Sequence, residues 1–287
     1  MGKRTSGGVS QDSGKRKKFK LSSGFLDPGT SGVYATCARK HEKQAAQELS
    51  VLFEEKLEEM YGDELRKINE EKDVVEEKGD EKGEDLSIED EVKRELTQLH
   101  GPNDSANQGQ NKQKEILKFI DLSCECVIFC KTRRPVVSEQ FVKSIMEDLA
   151  DPSNKIKRTR YIQKLTPITY SCSASIEQLG NLAAKVIQPH FHDPKVTQNY
   201  KFAVEVTRRN FNTLERGDII KKVVSEVLNG SEHNHEINLK NFDKLILVEC
   251  FKNNIGMSVV DSDYITKFRK YNVQQIYEKK LKEQKEE

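Results

Sequence analysis

YKFAVEVTRRNF, residues 200–211, is an apolar strand that runs directly into two adjacent arginines. Phe202, Val204 and Val206 alternate with Ala203, Glu205 and Thr207, the period of two that marks a β-strand. Side chains alternate across a strand, so one face packs while the other stays available. Arg208 and Arg209 close the strand beside Asn210, which puts positive charge on a rigid element where a phosphate can be gripped. A core strand ending in two solvated arginines reads the same at this point, and the rest of the chain must separate the two readings.

Charge is unevenly spread around that strand. The 287 residues carry a net charge of only +1. Residues 1–20 nevertheless hold seven Lys or Arg against one acid, residues 54–95 hold 19 acids against 8 bases, and residues 155–222 hold 13 bases against 5 acids. An acidic stretch thus masks a basic C-terminal half, and such segregation points to a polyanionic partner. With 33% charged residues and a mean hydropathy of −0.75, part of the chain is expected to be disordered. No apolar run approaches the ~20 residues of a membrane span, and no signal-peptide core is present, so a soluble intracellular protein with no membrane partner is expected. The six cysteines then read as reduced thiols. Lys15–Lys20, KRKKFK, resembles a nuclear localisation cluster, and a nuclear protein, nucleolus included, is expected.

The rest of the chain alternates strand and helix. Gly32–Cys37 reads as a first strand after the Pro28-Gly29 turn, and Lys40–Tyr61 as an amphipathic helix closed by Gly62. Residues 62–115 read as an acidic, largely disordered insertion, with a short helix around Ile88–Leu99. Cys124–Lys131 is expected as a strand and Ser138–Leu149 as a helix capped by Ser138. Arg158–Ser171 reads as a strand broken at Pro167, and Ile176–Val186 as a helix with Ile176 inward. Glu215–Leu228 reads as a helix, and Lys244–Phe251 and Ile255–Val260 as a hairpin turning on Asn253-Asn254, since Asn tolerates positive φ. The segment after Thr266 reads as a docking helix or a frayed end. The fold class is α+β.

Catalytic constellations are scarce. Cys124, Cys126 and Cys130 would share one face of a strand, and without a second Cys/His pair at ligand spacing they read as core thiols; no metal is expected. His190 and His192 flank Phe191 beside Pro189 and read as turn and surface residues. There is no P-loop and no GxGxxG after a strand, so no nucleotide cofactor is expected. These observations weigh against an enzyme.

The C-terminal half resembles the THUMP domain, an RNA-binding module of tRNA-modifying proteins. The resemblance lies in the helix ending Ala184-Lys185-Val186, the strand YKFAVEVTRRNF, the helix Asp218–Val227 and the closing KLILVECFKNNIGMSVV. Beyond that domain, GFLDPGTSGVYATC, FIDLSCECVIFCKTRRP, SIMEDLADP, KRTRYIQKLTPITYSC and NVQQIYE look like the fungal tRNA-acetylation adaptors of this family. The likeness spans about residues 19–280 apart from the acidic insertion. It implies an N-terminal ferredoxin-like domain over 23–142 containing the insertion and an α/β THUMP domain over 143–262, while composition marks a disordered basic tail over 1–22 and a charged tail over 263–287. The likeness also implies a noncatalytic tRNA-binding adaptor, which presents serine and leucine tRNAs to a separate RNA acetyltransferase-helicase for acetylcytidine formation in the D-arm. A stand-alone modifying enzyme and a general RNA-binding or ribosome-assembly factor are the alternatives.

A reader of RNA shape needs spaced cations on a rigid surface, because RNA helices are recognised through phosphates and 2′-hydroxyls. Arg158, Arg160, Lys164, Arg208 and Arg209 are the expected phosphate contacts. Phe211, with Tyr161 and Tyr170, is a candidate to stack on unpaired bases, with core packing as the competing reading.

Overall fold

The computed structural model describes residues 22–24, 26–77, 116–154, 156–229 and 233–286. The basic cluster at 15–20, the acidic stretch beyond residue 77 and the expected helix at 88–99 lie outside the described residues. The first unit contains β1 (Ser22–Ser23), β2 (Ser31–Cys37), α1 (Glu42–Glu77), β3 (Leu117–Asp121), β4 (Val127–Thr132), α2 (Ser138–Ala150) and β5 (Ile162–Ile168). From β2 onward this is a βαββαβ succession, and the strands lie in the order β1-β3-β4-β2-β5, with β2 antiparallel to both β4 and β5. That arrangement is ferredoxin-like.

The second unit runs β6 (Tyr170–Ser173), α3 (Ile176–Ile187), β7 (Lys201–Arg209), α4 (Arg216–Leu228), β8 (Glu236–Ile237), β9 (Lys244–Phe251) and β10 (Asn254–Asp261). Its sheet has the order β6-β10-β9-β7-β8, with β7 parallel to β9 over eight residue pairs. Helices α3 and α4 cover one face, closing a core of Leu179, Val186, Phe202, Ile219, Val223, Ile246 and Val248.

The opposite face of this second sheet is sealed by the end of the chain. After β10 the chain makes a helical turn at Asp263–Thr266, a 3₁₀ turn at Arg269–Tyr271, and then α5 (Val273–Glu286), which lies against α2 and β5 of the first unit. Tyr264, Phe268 and Tyr271 are fully buried, in one cluster with Ala203, Leu245 and Leu247 of the second sheet and Phe53, Phe141 and Leu165 of the first unit. The buried Lys280 ammonium donates to the carbonyls of Leu149 (3.0 Å) and Asn154 (2.7 Å), at and just beyond the C-terminal end of α2. The expected tail is thus a docked helix. The expected boundary between residues 142 and 143 falls inside α2, and β5 still belongs to the first sheet.

Several local expectations change. The helix does not stop at Gly62: α1 runs on to Glu77, since a mid-helix glycine costs only ~1 kcal/mol and Leu65 still packs beyond it. Pro167 does not break a strand. It sits within β5, at the edge of its sheet where a missing N–H is tolerated, and the chain changes sheets at Thr169. Val137, not Ser138, caps α2 and makes no side-chain cap bond; the Ser138 hydroxyl is instead 3.1 Å from that of Thr132. Ile176 is exposed, although Ser175 does cap α3 through the Gln178 N–H. In the β9–β10 hairpin Phe251 pairs with Asn254, and the positive φ falls on Lys252. The stretch before β4 is a turn with Ser123 and Cys126 at positive φ, so only Cys130 of the three thiols lies on the strand.

Phe268→Ala removes a fully buried ring shared by both units, and a loss of about 3–5 kcal/mol is expected. Urea denaturation followed by far-UV circular dichroism would show it as a lowered midpoint.

Candidate nucleic-acid interface

The two arginines that end β7 do not form one grip. Strand alternation sends them to opposite faces. On the helix-covered face, the Arg208 guanidinium donates to the Phe211 carbonyl (3.1 Å) and lies 3.6 Å from Glu215. Phe211 is 3% exposed and packs in the core under α3 and α4, so its ring is closed to a base. The turn between them places Asn210 at φ 50°, a conformation that Asn tolerates.

Arg209 points the other way, into the seam between the two sheets. There it neighbours the Glu249 carboxylate of β9, the Tyr34 hydroxyl of β2 and the Lys164 ammonium of β5. Glu205 lies on the same face of β7 and pairs with Lys270 at 2.9 Å. Lys164 is half-buried, with its ammonium 5.7 Å from the centre of the Tyr264 ring. Burial pulls the Lys164 ammonium below its ordinary range against the pull of Glu249 and Glu205, and burial pushes the Glu249 carboxyl up against the pull of Arg209 and Lys164. Burial likewise raises the Tyr34 and Tyr264 phenols, and both buried hydroxyls lack a hydrogen-bond partner. The seam thus gathers three basic side chains, Lys164, Arg209 and Lys270, around two acids, Glu205 and Glu249. Close sheet contact makes it compact: a Cβ on Gly256 would lie 2.9 Å from two side-chain carbons of Ile168.

Arg158 and Arg160 lie apart from this set, in the loop that leads into β5. Arg158 is ion-paired with Glu55 of α1. The backbone N–H groups of Arg160 and Tyr161 both donate to the Glu48 carboxylate at 3.0 Å, while the Arg160 side chain stays exposed. Tyr161 is stacked on His41, ring centres 4.2 Å apart, and Arg160 sits 5.4 Å from its ring. Tyr170 is half-buried, with the Lys185 ammonium 3.7 Å from its ring centre. Of the expected residues, then, Lys164 and Arg209 come together, Arg158 and Arg160 form a second group, and Arg208 and Phe211 serve the core. Glu249, Glu205, Tyr34 and Tyr264 were not anticipated. A lone carboxylate inside the apolar run KLILVECF was the available signal for Glu249.

The cysteines and histidines of the second unit and Cys37 serve the packing. Burial raises the thiols of Cys37 and Cys250 to about 12 and that of Cys172 to about 11, so they stay protonated. His192 donates from Nε2 to the Val227 carbonyl (3.0 Å). His235 accepts from the Tyr200 N–H at Nδ1 (3.0 Å) and donates from Nε2 to the Phe191 carbonyl (3.2 Å), bonds that need the neutral ring. Among the described residues no group of His, Cys, Asp and Glu could hold a metal ion, and no helix is long and apolar enough to cross a membrane.

The chain joins a ferredoxin-like unit to a mixed five-stranded sheet, and the THUMP domain family matches residues 173–260, so this is a THUMP-domain protein. Over 284 residues the chain is 64% identical to the protein named tRNA acetyltransferase TAN1 of Saccharomyces cerevisiae, covering 98% of this chain and 96% of that protein. It belongs to the same family. It is also 26% identical to human THUMP domain-containing protein 1, over 88% of this chain and 65% of the human protein. Among solved structures, a 4-thiouridine synthetase in complex with RNA and ATP aligns with a TM-score of 0.41 at 10% identity, over 80% of this chain and 41% of that one.

Burial and the nearby Lys244 ammonium pull His190 down to about 4. An unfolded histidine near 6.5 binds protons first as pH falls, so this residue costs stability progressively from pH ~6.5 to ~4, on the order of 3 kcal/mol in total. His190→Gln is expected to lessen acid destabilisation by that amount, read as the change in urea midpoint between pH 7.5 and 4.5 for both proteins.

Proposed function

We propose that this chain is a tRNA-binding adaptor of cytidine acetylation. It presents serine and leucine tRNAs to a separate RNA acetyltransferase-helicase and does not itself transfer the acetyl group. The observation that carries the reading is the 64% identity, extending over both units, to a yeast protein named for tRNA acetylation. The architecture supports it. Lys164, Arg209 and the cations of the loop before β5 belong to strands or to the segment that leads into one, and the two sheets that carry them share a buried core. RNA helices are recognised by shape through phosphates, and such recognition needs charge held at fixed spacing.

The seam supplies Lys164 and Arg209 as phosphate contacts, and the loop supplies Arg160. Arg208 contributes less, because its guanidinium already serves the Phe211 carbonyl and Glu215. Lys164→Gln with Arg209→Gln is expected to weaken tRNA binding and to flatten the dependence of log Kd on log salt by about 1.5, close to one released counterion per lost contact. Arg208→Gln should flatten it by less than half of one. Filter binding at five salt concentrations measures both, and equal slopes for all three proteins would remove the seam from the interface.

The name of the yeast relative favours a second reading, in which the chain is itself the acetyltransferase. Purified chain incubated with acetyl-CoA and total tRNA separates the two. The adaptor reading expects no acetylcytidine by mass spectrometry until the partner enzyme is added. Acetylation by the chain alone would establish the second.

A further inference from the structure

A small polar cavity opens between the loop leading into β5 and the C-terminal helix α5, on the first unit and outside the residues matched by the THUMP family. Its volume is about 120 Å³, room for about four waters or one tetrahedral oxyanion. Its polar walls come from Lys157, Thr159, Arg160, Gln163, Gln274 and Tyr277, and no acid lines it. Thr159 is 3% exposed, and its hydroxyl oxygen is buried without a hydrogen-bond partner. An orphaned buried hydroxyl is costly unless something else completes it.

The neighbouring acids of α1 are engaged by the loop itself. Glu55 neutralises the neighbouring Arg158, and Glu48 takes the N–H groups of Arg160 and Tyr161, so the acids of α1 hold the loop backbone. The side chains of Lys157 and Arg160 remain exposed. The Tyr277 oxygen accepts from the Arg158 N–H (3.0 Å), which leaves the phenolic proton to donate. The Lys157 ammonium lies 5.7 Å from the centre of the Tyr277 ring, at the same wall. An ammonium, a guanidinium, two hydroxyls and two side-chain amides around a space of this size suit a ligand with several acceptor oxygens and negative charge.

We propose that this cavity binds one phosphate group, with Thr159 donating its hydroxyl and Lys157 and Arg160 balancing the charge. The phosphate is either an RNA phosphodiester or a free phosphate. The first source rests on the tRNA-binding reading, and the second stands without it. Its dependence on Gln274 and Tyr277 makes α5 part of the binding site as well as part of the core.

Thr159→Val separates a ligand role from a structural one. Replacing an orphaned hydroxyl by a methyl group is neutral or stabilising for the fold, so a structural role predicts unchanged binding. A ligand role predicts a more stable protein that binds worse. Three full-length proteins would be compared: wild type, Thr159→Val and Lys157→Gln, the last altering only an exposed side chain and therefore secure in its folding. Thermal unfolding in inorganic phosphate against chloride at matched ionic strength, and tRNA affinity, are the two readouts. The expected result is a phosphate-dependent rise in Tm for wild type that both variants lose, with tRNA affinity reduced about tenfold in Thr159→Val. A lost Tm rise with unchanged tRNA affinity assigns the cavity to free phosphate, and lost tRNA affinity without a Tm rise assigns it to a phosphodiester delivered by the RNA. Variants that match wild type in both readouts overturn the proposal. The Lys164→Gln, Arg209→Gln protein, which should lose tRNA affinity yet keep its response to phosphate, keeps this outcome distinct from failure of the tRNA-binding reading.

Discussion

Both sheets of this protein carry helices on one face only, and the uncovered faces set the rest of the structure. A half-covered sheet leaves apolar side chains in water, which favours burial by ~25 cal/mol for each Å² removed. The second sheet meets this demand with the returning C-terminal segment, where Tyr264, Phe268 and Tyr271 pack on Ala203, Leu245 and Leu247. The remaining part of that face meets the first sheet, where Tyr34, Phe129 and Ile168 cluster with Phe251. Gly256 permits the approach, and the Ser258 hydroxyl donates to the Pro167 carbonyl across it at 2.7 Å. The two units are thereby joined through a core rather than through a linker.

Between the two apolar parts of this contact lie the charges of the seam. A buried carboxylate such as Glu249 is tolerated only beside cations and donors, and Arg209, Lys164 and Thr207 provide them. The same arrangement places each of the two cations beside an acid. The seam therefore couples the stability of the two-unit contact to the placement of Lys164 and Arg209.

Much of this was legible in the chain. Periodicity located β2, α2, α3, β7, α4, β9 and β10 within a few residues, because each has a continuous apolar face with a local cause. Non-local features were not legible. Arg208 and Arg209 are neighbours in sequence, and only the strand's alternation, applied to both of them, separates their sides. Phe211 looked available because it follows a turn, but the helices α3 and α4 that bury it are distant or later in the chain. Lys164 and Arg209 meet although 45 residues apart, and no local pattern announces a contact between two sheets. The docked end of the chain was hidden for another reason: α5 is rich in Lys, Glu and Gln, and its buried positions Val273, Ile276, Tyr277 and Lys280 include a charged residue whose partners are carbonyls.

The return of the last helix to the first unit makes the second unit an insertion. Strand β5, which completes the first sheet, precedes residue 169, and the segment from Tyr264 to Tyr277 completes the first core after the second sheet has been formed. Chains are synthesised from the N-terminus, and domains usually fold in that order. Here the order is inverted. The inserted unit has its helix-packed core available as soon as β10 has emerged, whereas the first unit waits, with part of its core open, until residues as far as Tyr277 and Lys280 exist. The earliest part of the chain to be made is thus the last to be finished.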